Sequence, residues 1–333
     1  MAMNDERDEA VAVSMRRSVL LGGAATLATL APRPGHALLF TAHGDAPTNS
    51  PSGGGTPPQP LLEGKTVLVT GSTDGLGKVV ALKLADMGAT VLIHGRNEER
   101  GNALVATIEK DTPGNARFYR ADLASLEDVR KLAEAIENDH RRLHLLINNA
   151  GIGFANSDGG QARQVSVDGH ELRFAVNYLS GYLLTRLLIP QLVAGSPARV
   201  VNVASLAQRP IDFSDVMLER NYDGGSAYAQ SKLAQIMFTF DLAAELAVKN
   251  ITVHALHPAT YMDTAMVRSA GVQPRSTVDE GAAAVLYVAT APELKLKTGL
   301  FFNGKHEAQA NAAAYDPEAR RKLRELSKTL TGV

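Results

Sequence analysis

Cysteine is absent from this 333-residue chain. Its absence excludes disulfides, thiolate nucleophiles and zinc sites with cysteine ligands, and it leaves the redox compartment open. The nine histidines never occur in the HxxxH or HExxH spacing of metal sites, so we predict no metal ion. His254 and His257 flank the end of a predicted strand, and we interpret them as structural residues.

A strong net charge and long apolar runs are also missing. The formal net charge is -1, and lysine and arginine do not cluster as they do in nucleic-acid-binding proteins. The apolar run near the N terminus, residues 19–31, is too short to cross a bilayer of ~30 Å as a helix. We therefore expect neither a nucleic-acid partner nor a transmembrane segment. The hydrophobic content of 45% is enough for a sizeable core.

The first 60 residues differ in composition from the rest of the chain. Arg16-Arg17, closely followed by apolar residues, resembles a twin-arginine export signal, and residues 35–37 offer a small-x-small cleavage site. We predict a signal peptide over residues 1–37, with export to the periplasm. Residues 38–60, rich in Pro and Gly, are predicted to be a flexible linker. The alternatives are a disordered extension on a cytoplasmic protein and a true start at Met15.

From residue 61 onward, short β-branched runs alternate with helical patterns. Such runs predict buried strands, and repeated strand–helix units imply a parallel sheet with helices on both faces. The predicted strands are residues 66–70, 90–94, 116–120, 143–147, 199–203, 252–256 and 300–302. The predicted helices are residues 79–87, 98–110, 126–138, 172–193, 225–247, 280–290 and 317–328. We therefore predict one α/β domain over residues 61–333, with a doubly wound, mostly parallel sheet of seven strands.

A glycine-rich turn connects the first predicted strand to the first helix. Gly71 permits a tight turn, Gly75 lets the backbone approach a pyrophosphate, and Gly77 lets the helix pack close to the strand. The free amides and the positive end of the helix favour phosphate groups. The turn therefore predicts a dinucleotide site made by Gly71, Ser72, Thr73, Asp74, Gly75, Leu76 and Gly77.

The end of the second strand indicates which dinucleotide binds. A carboxylate at this place binds the adenosine ribose diol and repels a 2′-phosphate. The chain has no acid in residues 93–97 and carries Arg96, which can make charge-assisted hydrogen bonds to a phosphate. We therefore predict that NADP(H) is preferred over NAD(H). The alternative is a surface arginine without a ligand.

Tyr228 and Lys232 form a second candidate site. They lie four residues apart in the predicted helix 225–247, so their side chains share one face. A neighbouring ammonium group favours the phenolate and lowers the pKa of a tyrosine towards neutrality, which suits acid–base catalysis. The pair alone is weak evidence, because this spacing is common on solvated helices.

Five motifs in order strengthen both sites. They are TGxxxGxG at residues 70–77, Asn148-Asn149-Ala150-Gly151, Asn177, Ser205 and the Tyr228–Lys232 pair. Together they resemble the shorter subclass of the short-chain dehydrogenase/reductase family over about residues 61–304. The sequence around Ser205 and Tyr228 looks most like the retinol dehydrogenase and WW-domain oxidoreductase branch. The resemblance implies a Rossmann-type fold and an oxidoreductase that transfers a hydride between NADP(H) and an alcohol or carbonyl substrate.

The resemblance also implies roles for single residues. Tyr228 exchanges the proton, Lys232 lowers its pKa and binds the nicotinamide ribose, and Ser205 hydrogen-bonds the substrate carbonyl. Asn177 holds a water in a proton relay to Lys232. The other implied cofactor residues are Asp122 at the adenine ring, Asn149 bracing the central strands, and Leu123, Ala150, Gly151 and Pro258.

One segment departs from the family pattern. The family has Pro-Gly and then a threonine five residues after the proline, which holds the nicotinamide carboxamide. This chain has Pro258-Ala259, and Thr264 follows the proline by six residues. Either the loop is one residue longer than in the family, so that Thr264 makes that contact, or Thr260 or Asp263 makes it.

The sequence says less about the substrate and the oligomeric state. Residues 206–225 and 261–272 are expected to wall the substrate pocket, but their mixture of apolar and charged residues favours no particular small molecule. One alternative function is a non-catalytic NADP(H)-binding sensor or scaffold on the same fold. Another is a similar sheet that binds a different nucleotide, although no GxxxxGK[ST] sequence for phosphoryl transfer is present. The sequence does not decide whether the protein forms a homo-oligomer.

Overall fold

The computed structural model describes residues 61–155 and 162–333. The predicted signal peptide and linker lie outside the described residues, so both stay predictions. Within those two ranges, no helix combines the length and the apolar character that crossing a membrane requires.

A single twisted sheet forms the centre of the described domain. Its order is β3-β2-β1-β4-β5-β6-β7-β8, and every pairing is parallel except that of β7 with β8. The strands are β1 Thr66–Val69, β2 Thr90–Gly95, β3 Asn115–Arg120, β4 Leu145–Asn148, β5 Ala198–Val203, β6 Ile251–His257, β7 Leu300–Asn303 and β8 His306–Ala308. The doubly wound parallel sheet predicted from the sequence is confirmed.

The eighth strand is an addition to the seven predicted. It pairs antiparallel with β7 through a two-residue turn, in which Gly304 has a φ of +61°. Gly304 is the first of the two turn residues, a position where hairpin turns favour glycine because φ is positive there, but the three-residue strand after the turn is too short to show an alternating pattern.

Helices cover both faces of the sheet. They are α1 Gly75–Asp86, α2 Glu98–Asp111, α3 Leu126–Asp139, α4 Ser180–Leu187, α5 Ile189–Ala194, α6 Gly224–Leu246, α7 Ala265–Ser269, α8 Val278–Thr290 and α9 Pro317–Thr331. The single helix predicted over 172–193 is divided. A π-helical segment, Phe174–Leu179, precedes α4, and α5 starts anew with Pro190 in its first turn. Proline lacks the amide that would have continued the α4 hydrogen-bond ladder.

Two hydrophobic clusters lie on opposite sides of the sheet. Successive residues of a strand point to opposite faces, so Val67 and Val69 pack with α1, α2 and α8, whereas Leu68 packs with α3, α4, α6 and α9. The prediction of helices on both faces is therefore confirmed.

The strand order reverses between β1 and β4. From β1 the chain proceeds outward to β3, and from β4 it proceeds to the other edge. Helices that diverge at such a switch point leave a crevice at the carboxyl ends of the strands, where ligands of open α/β sheets bind.

Candidate active site

A cleft of about 850 Å³ runs along the carboxyl ends of the strands. Arg96 and Asp122 line one end, which we name the nucleotide end, and Ser205, Tyr228 and Met266 line the other, which we name the substrate end. This volume is in the range of small-molecule and cofactor sites. Every predicted site residue lines the cleft except Ser72 and Asn177.

The glycine-rich turn has the geometry that its sequence predicts. Gly71 has a φ of +64°, and a Cβ on Gly77 would lie 2.3 Å from the Gly71 carbonyl oxygen and 2.5 Å from Nδ2 of Asn149. α1 begins at Gly75, whose amide donates to Oδ1 of Asp74 at 2.7 Å. The turn therefore brings the start of a helix, with its unpaired amides, into the cleft.

Ser72 has a different role from the one predicted. It is fully buried; its hydroxyl accepts from the His94 amide at 3.0 Å, and its own amide donates to the His94 carbonyl at 2.9 Å. These contacts face β2, so Ser72 holds the turn against the sheet and does not line the cleft.

His94 supports the same turn and was missed by the sequence analysis. Its Nδ1 accepts from the Gly71 amide at 3.0 Å, and the residue is 2% exposed. Burial lowers the pKa of His94 to about 4, so the ring is neutral at physiological pH. A histidine in a strand gives no sequence signal for such a contact, because the turn it meets lies 23 residues earlier.

Asn149 braces the centre of the sheet, as the resemblance implied. Its Nδ2 donates to the carbonyls of Thr70 at 2.8 Å and Gly71 at 3.2 Å. The Thr70 hydroxyl in turn accepts from the amides of Asn149 and Ala150, both at 3.0 Å. These bonds join the segment after β4 to the turn after β1.

The nucleotide end presents the exposed guanidinium of Arg96 beside a tightly packed turn. A Cβ on Gly95 would lie 2.6 Å from Thr73, so a side chain at that position would displace the turn. The next residue, Arg96, has a side chain 73% exposed, with Nη1 at 4.0 Å from Oδ2 of Asp122. Such a loose, exposed pair leaves the guanidinium free to bind an anion.

Ser205 and Tyr228 meet at the substrate end. Ser205 follows β5 and is hydrogen-bonded to Tyr228, which lies on the first turns of α6. Burial raises the pKa of Tyr228, and the hydrogen bond from Ser205 opposes that effect. Two hydroxyl groups from different elements thus converge on one place in the cleft.

The prediction that Lys232 lowers the pKa of Tyr228 is wrong for this structure. Nζ of Lys232 lies 5.7 Å from the Tyr228 ring centroid and donates to the Val203 carbonyl and to Oε1 of Gln235, both at 2.9 Å. Burial lowers the pKa of Lys232 itself to about 7. Burial of Tyr228 is the main cause of its raised pKa.

Gln235 is a second residue that the sequence analysis missed. It is 4% exposed and accepts from Lys232 one helical turn away. Its spacing of three residues from Lys232 on a predicted helix is the signal that could have found it.

Asn177 lies behind the cleft wall. Its Oδ1 accepts from the Ile152 amide at 2.8 Å, and its Nδ2 donates to the Ile152 carbonyl at 3.2 Å and to the Ser231 hydroxyl at 3.0 Å. It belongs to the π-helical segment, a distortion that frequently occurs at functional sites. Asn177 therefore fixes the backbone after β4 beside α6.

Both segments expected to wall the substrate pocket contribute residues to the substrate end, but only part of the first segment does so. Leu206 and Ala207 line the cleft, whereas Arg209, Pro210, Asp212 and Ser214 face a separate surface depression. The second wall contains α7 and contributes Tyr261 and Met266. Phe154, which the sequence analysis did not single out, also lines this end.

Of the candidates for the contact with the nicotinamide carboxamide, the two threonines line the cleft and the aspartate does not. Thr260 and Thr264 line the cleft, and Asp263 instead pairs with Arg268 at 2.9 Å. The Thr260 hydroxyl is bonded to Nε2 of His257 at 3.0 Å, and Thr264 caps α7 by accepting from the Val267 amide at 3.4 Å.

Comparisons with known proteins agree with this geometry. The family model described as short chain dehydrogenase matches residues 65–274. The chain is 34% identical to retinol dehydrogenase 13 of Mus musculus over 301 residues, which cover 85% of this chain and 88% of that protein. It is also 34% identical to retinol dehydrogenase 11 of Homo sapiens, over 82% of this chain and 87% of that protein.

Solved structures show the same fold. An uncharacterized protein from Mycobacterium paratuberculosis matches with a TM-score of 0.67 and 30% identity, over 83% of this chain and 96% of that one. A short chain dehydrogenase from Escherichia coli CFT073 complexed with NADPH matches with a TM-score of 0.61 and 28% identity, over 75% and 100% of the two chains. By sequence, fold and site, this chain belongs to the short-chain dehydrogenase/reductase family of oxidoreductases, and it resembles the retinol dehydrogenase branch.

Proposed function

We propose that this protein is an NADP(H)-dependent oxidoreductase that interconverts an alcohol and its carbonyl compound by means of Ser205, Tyr228, Lys232 and Asn177. The observation that carries the proposal is one continuous cleft. It begins at a glycine-rich turn and a free arginine, and it ends at two hydroxyl groups and a buried lysine.

The cleft fits a nicotinamide dinucleotide. The start of α1 suits the pyrophosphate, Asp122 and Leu123 line the adenosine end, and Arg96 is placed for a 2′-phosphate. The NADPH complex of the E. coli structural relative supports the choice of cofactor. A bound nicotinamide would supply or accept the hydride, and the protein's own groups would handle the proton.

Tyr228 is the residue placed to exchange that proton. During reduction its hydroxyl donates to the carbonyl oxygen as the oxygen gains negative charge, and Ser205 stabilises the same oxygen by a hydrogen bond. The raised pKa of Tyr228 keeps the phenol protonated and ready to donate in the cofactor-free site. Lys232, buried and held by Val203 and Gln235, lies 5.7 Å from the ring centroid, where its charged form would stabilise the phenolate as it forms.

The substrate end favours an apolar carbonyl compound. Phe154, Leu206, Tyr261 and Met266 contribute apolar surface around the Ser205–Tyr228 hydroxyls. The relatives named as retinol dehydrogenases make retinal one member of the panel to be tested. Short polar ketones form the contrasting members.

The test is NADPH consumption by the purified protein with this panel, comparing the unmodified protein with Tyr228→Phe. Phenylalanine keeps the ring and removes the hydroxyl, so turnover should fall by ~10² to 10⁴ while NADPH binding and thermal unfolding stay nearly unchanged. If Tyr228→Phe retains most of the activity, the assignment is wrong. NADPH binding without turnover of any compound would favour the sensor or scaffold alternative.

For residues 1–37 we propose a twin-arginine export signal. Export in the folded state suits a protein whose cofactor binds before it leaves the cytoplasm. Replacing Arg16 and Arg17 by lysine should retain the full-length protein in the cytoplasm. If fractionation shows only cytoplasmic full-length protein with or without the replacements, the segment is not a signal.

A further inference from the structure

A fully buried ion pair lies outside the proposed catalytic group. Glu171 and Arg173 both have 0% exposed side chains, with Nη1 of Arg173 at 3.6 Å from Oε1 of Glu171. Removing two charges from water costs several kcal/mol per ion, so a buried pair is weak evidence for stability alone. The contacts of the pair with the neighbouring backbone point to another role.

Arg173 binds the backbone of the cleft wall. Its Nε donates to the Gly153 carbonyl and its Nη2 to the Phe154 carbonyl, both at 2.9 Å. The rigid fork of a guanidinium can hold two consecutive carbonyls in one orientation, which a flexible ammonium group cannot do as well. Arg173 thus fixes the peptide from which the Phe154 side chain projects.

Tyr222 connects this pair to the loop before α6. Its hydroxyl accepts from Nη1 of Arg173 and donates to Oε1 of Glu171 at 3.0 Å. The other carboxylate oxygen, Oε2, accepts from the Phe174 amide at 2.7 Å. The cluster of Glu171, Arg173 and Tyr222 therefore joins two segments of the chain behind the cleft wall.

Phe154 is the group that this cluster holds in place. Its ring meets the Tyr228 ring edge-on, with centroids 6.4 Å apart and an interplanar angle of 71°. Both rings line the cleft. We propose that Glu171, Arg173 and Tyr222 are positioning residues that hold Phe154 against Tyr228 and so limit the access of water to the Tyr228 hydroxyl.

The positioning role rests on the proposed function, because it matters for catalysis only if Tyr228 exchanges a proton. Burial is the main cause of the raised pKa of Tyr228. The polar neighbours that face the ring in the described residues are Ser205, which hydrogen-bonds it, and Lys232, at 5.7 Å. Neither is part of the cluster, so a change in the cluster should act on Tyr228 through Phe154.

The experiment measures the pKa of Tyr228 directly. Ultraviolet titration of tyrosinate is carried out for each protein with and without Tyr228→Phe, and the difference isolates Tyr228. Phe154→Ala should admit water and shift that pKa down by about one unit. Tyr222→Phe removes only the hydroxyl that bridges Arg173 and Glu171, and it should shift the pKa in the same direction by a smaller amount.

The double variant tests whether Tyr222 affects the pKa of Tyr228 through Phe154. If Tyr222 acts through Phe154, then Phe154→Ala with Tyr222→Phe should give the same pKa as Phe154→Ala alone, because coupled residues are not additive. Shifts that add would overturn the proposal, and so would an unchanged pKa in either single variant. These two substitutions leave the buried ion pair intact, so the test does not depend on a variant with an unpaired buried charge.

Tyr315→Phe is the matched control. The Tyr315 hydroxyl also accepts a hydrogen bond, from the Ala310 amide at 3.0 Å, but Tyr315 does not line the cleft. Tyr315→Phe should leave the pKa of Tyr228 unchanged. A shift of that pKa equal to the one in Tyr222→Phe would overturn the proposal. Titration needs no substrate, so failure of the positioning role can be distinguished from failure of the proposed enzymatic function, which would show as absent turnover.

Discussion

The two ends of the cleft are built in different ways. The nucleotide end is made mainly by backbone: glycines without room for a Cβ, the start of α1, amides held by His94 and Thr70, and carbonyls held by Asn149. The substrate end is made by side chains from separate loops, with Phe154, Tyr261 and Met266 around Tyr228. A backbone site binds a group common to many ligands, whereas a side-chain site can change its ligand through single substitutions.

Lys232 lies where the two ends meet, and changing it should have the largest effect. Its Nζ is 3.5 Å from the place of a Cβ on Gly151, after β4, and donates to the carbonyl of Val203, the last residue of β5. Lys232→Met should lower turnover by ~10² to 10⁴ and also weaken NADPH binding, since it removes both the cation beside Tyr228 and a polar contact for the cofactor. Steady-state kinetics and NADPH titration measure the two effects separately.

Lys131→Met is the control for this substitution. Lys131 is an exposed lysine of α3 that pairs with Glu127 at 3.4 Å, so its loss should leave rate and affinity unchanged. A loss of rate in Lys232→Met without any loss of NADPH affinity would show that the lysine serves the substrate end only.

The contrast between an end built from backbone and an end built from side chains also explains which parts of the site the sequence could predict. Gly71, Gly75 and Gly77 are adjacent in the chain, and their spacing after a strand defines the turn without further information. Arg173 reaches the Phe154 carbonyl across 19 residues, and Tyr222 reaches Glu171 across 51, separations that no periodicity indicates. The wrong pKa direction for Tyr228 has the same origin, because spacing along a helix gives proximity but not burial.

Acid should destabilise both ends of the cleft. Burial lowers the pKa of His94, near the turn, and of His257, near Thr260, to about 4 from an ordinary 6.5, and the same holds for His254 in β6. Below pH 6.5 the unfolded chain therefore binds more protons than the folded protein. The free energy of unfolding should fall by about 1.4 kcal/mol per pH unit per histidine until about pH 4.

Denaturant unfolding at several pH values measures this slope. His94→Gln and His254→Gln should each reduce it by the share of one histidine. Only His94→Gln should also weaken NADPH binding, because only His94 contacts the Gly71 amide. If both variants bound NADPH more weakly, the loss would not depend on the contact between His94 and the Gly71 amide. That result would contradict the role of His94 as a local support of the turn.

Two glycine substitutions compare the ends directly. A Cβ on Gly77 would lie 2.3 Å from a backbone oxygen, whereas a Cβ on Gly153 would meet the flexible Met266 side chain at 2.9 Å. Gly77→Ala should therefore cost ~1 to 3 kcal/mol of unfolding free energy and weaken NADPH binding. Gly153→Ala should change substrate KM and leave NADPH affinity near that of the unmodified protein. Equal losses of stability would show that the two ends are equally rigid.

Arg96 is the exception at the nucleotide end, because we expect this single exposed side chain to decide between the two cofactors. The backbone turn contacts groups that NADH and NADPH share, so it cannot discriminate between them. The Arg96 guanidinium pairs loosely with Asp122 at 4.0 Å, and exposed pairs of this kind are worth ~0 to 1 kcal/mol. A charge-assisted hydrogen bond to a 2′-phosphate is worth ~1.5 to 3 kcal/mol, which leaves a net gain for NADPH.

Arg96→Asp should therefore weaken NADPH binding by at least about tenfold and make NADH the tighter ligand, since the new carboxylate can accept from the ribose diol and repels the phosphate. Fluorescence titration with both nucleotides measures the two affinities. Lys110→Asp, on the last turn of α2, makes the same change in net charge and should leave the order of affinities as it was. Equal binding of both nucleotides by the unmodified protein would rule out this role for Arg96. A reversal in the Lys110 variant as well would assign the preference to the overall field of the protein, because only a local contact can depend on which cation is replaced.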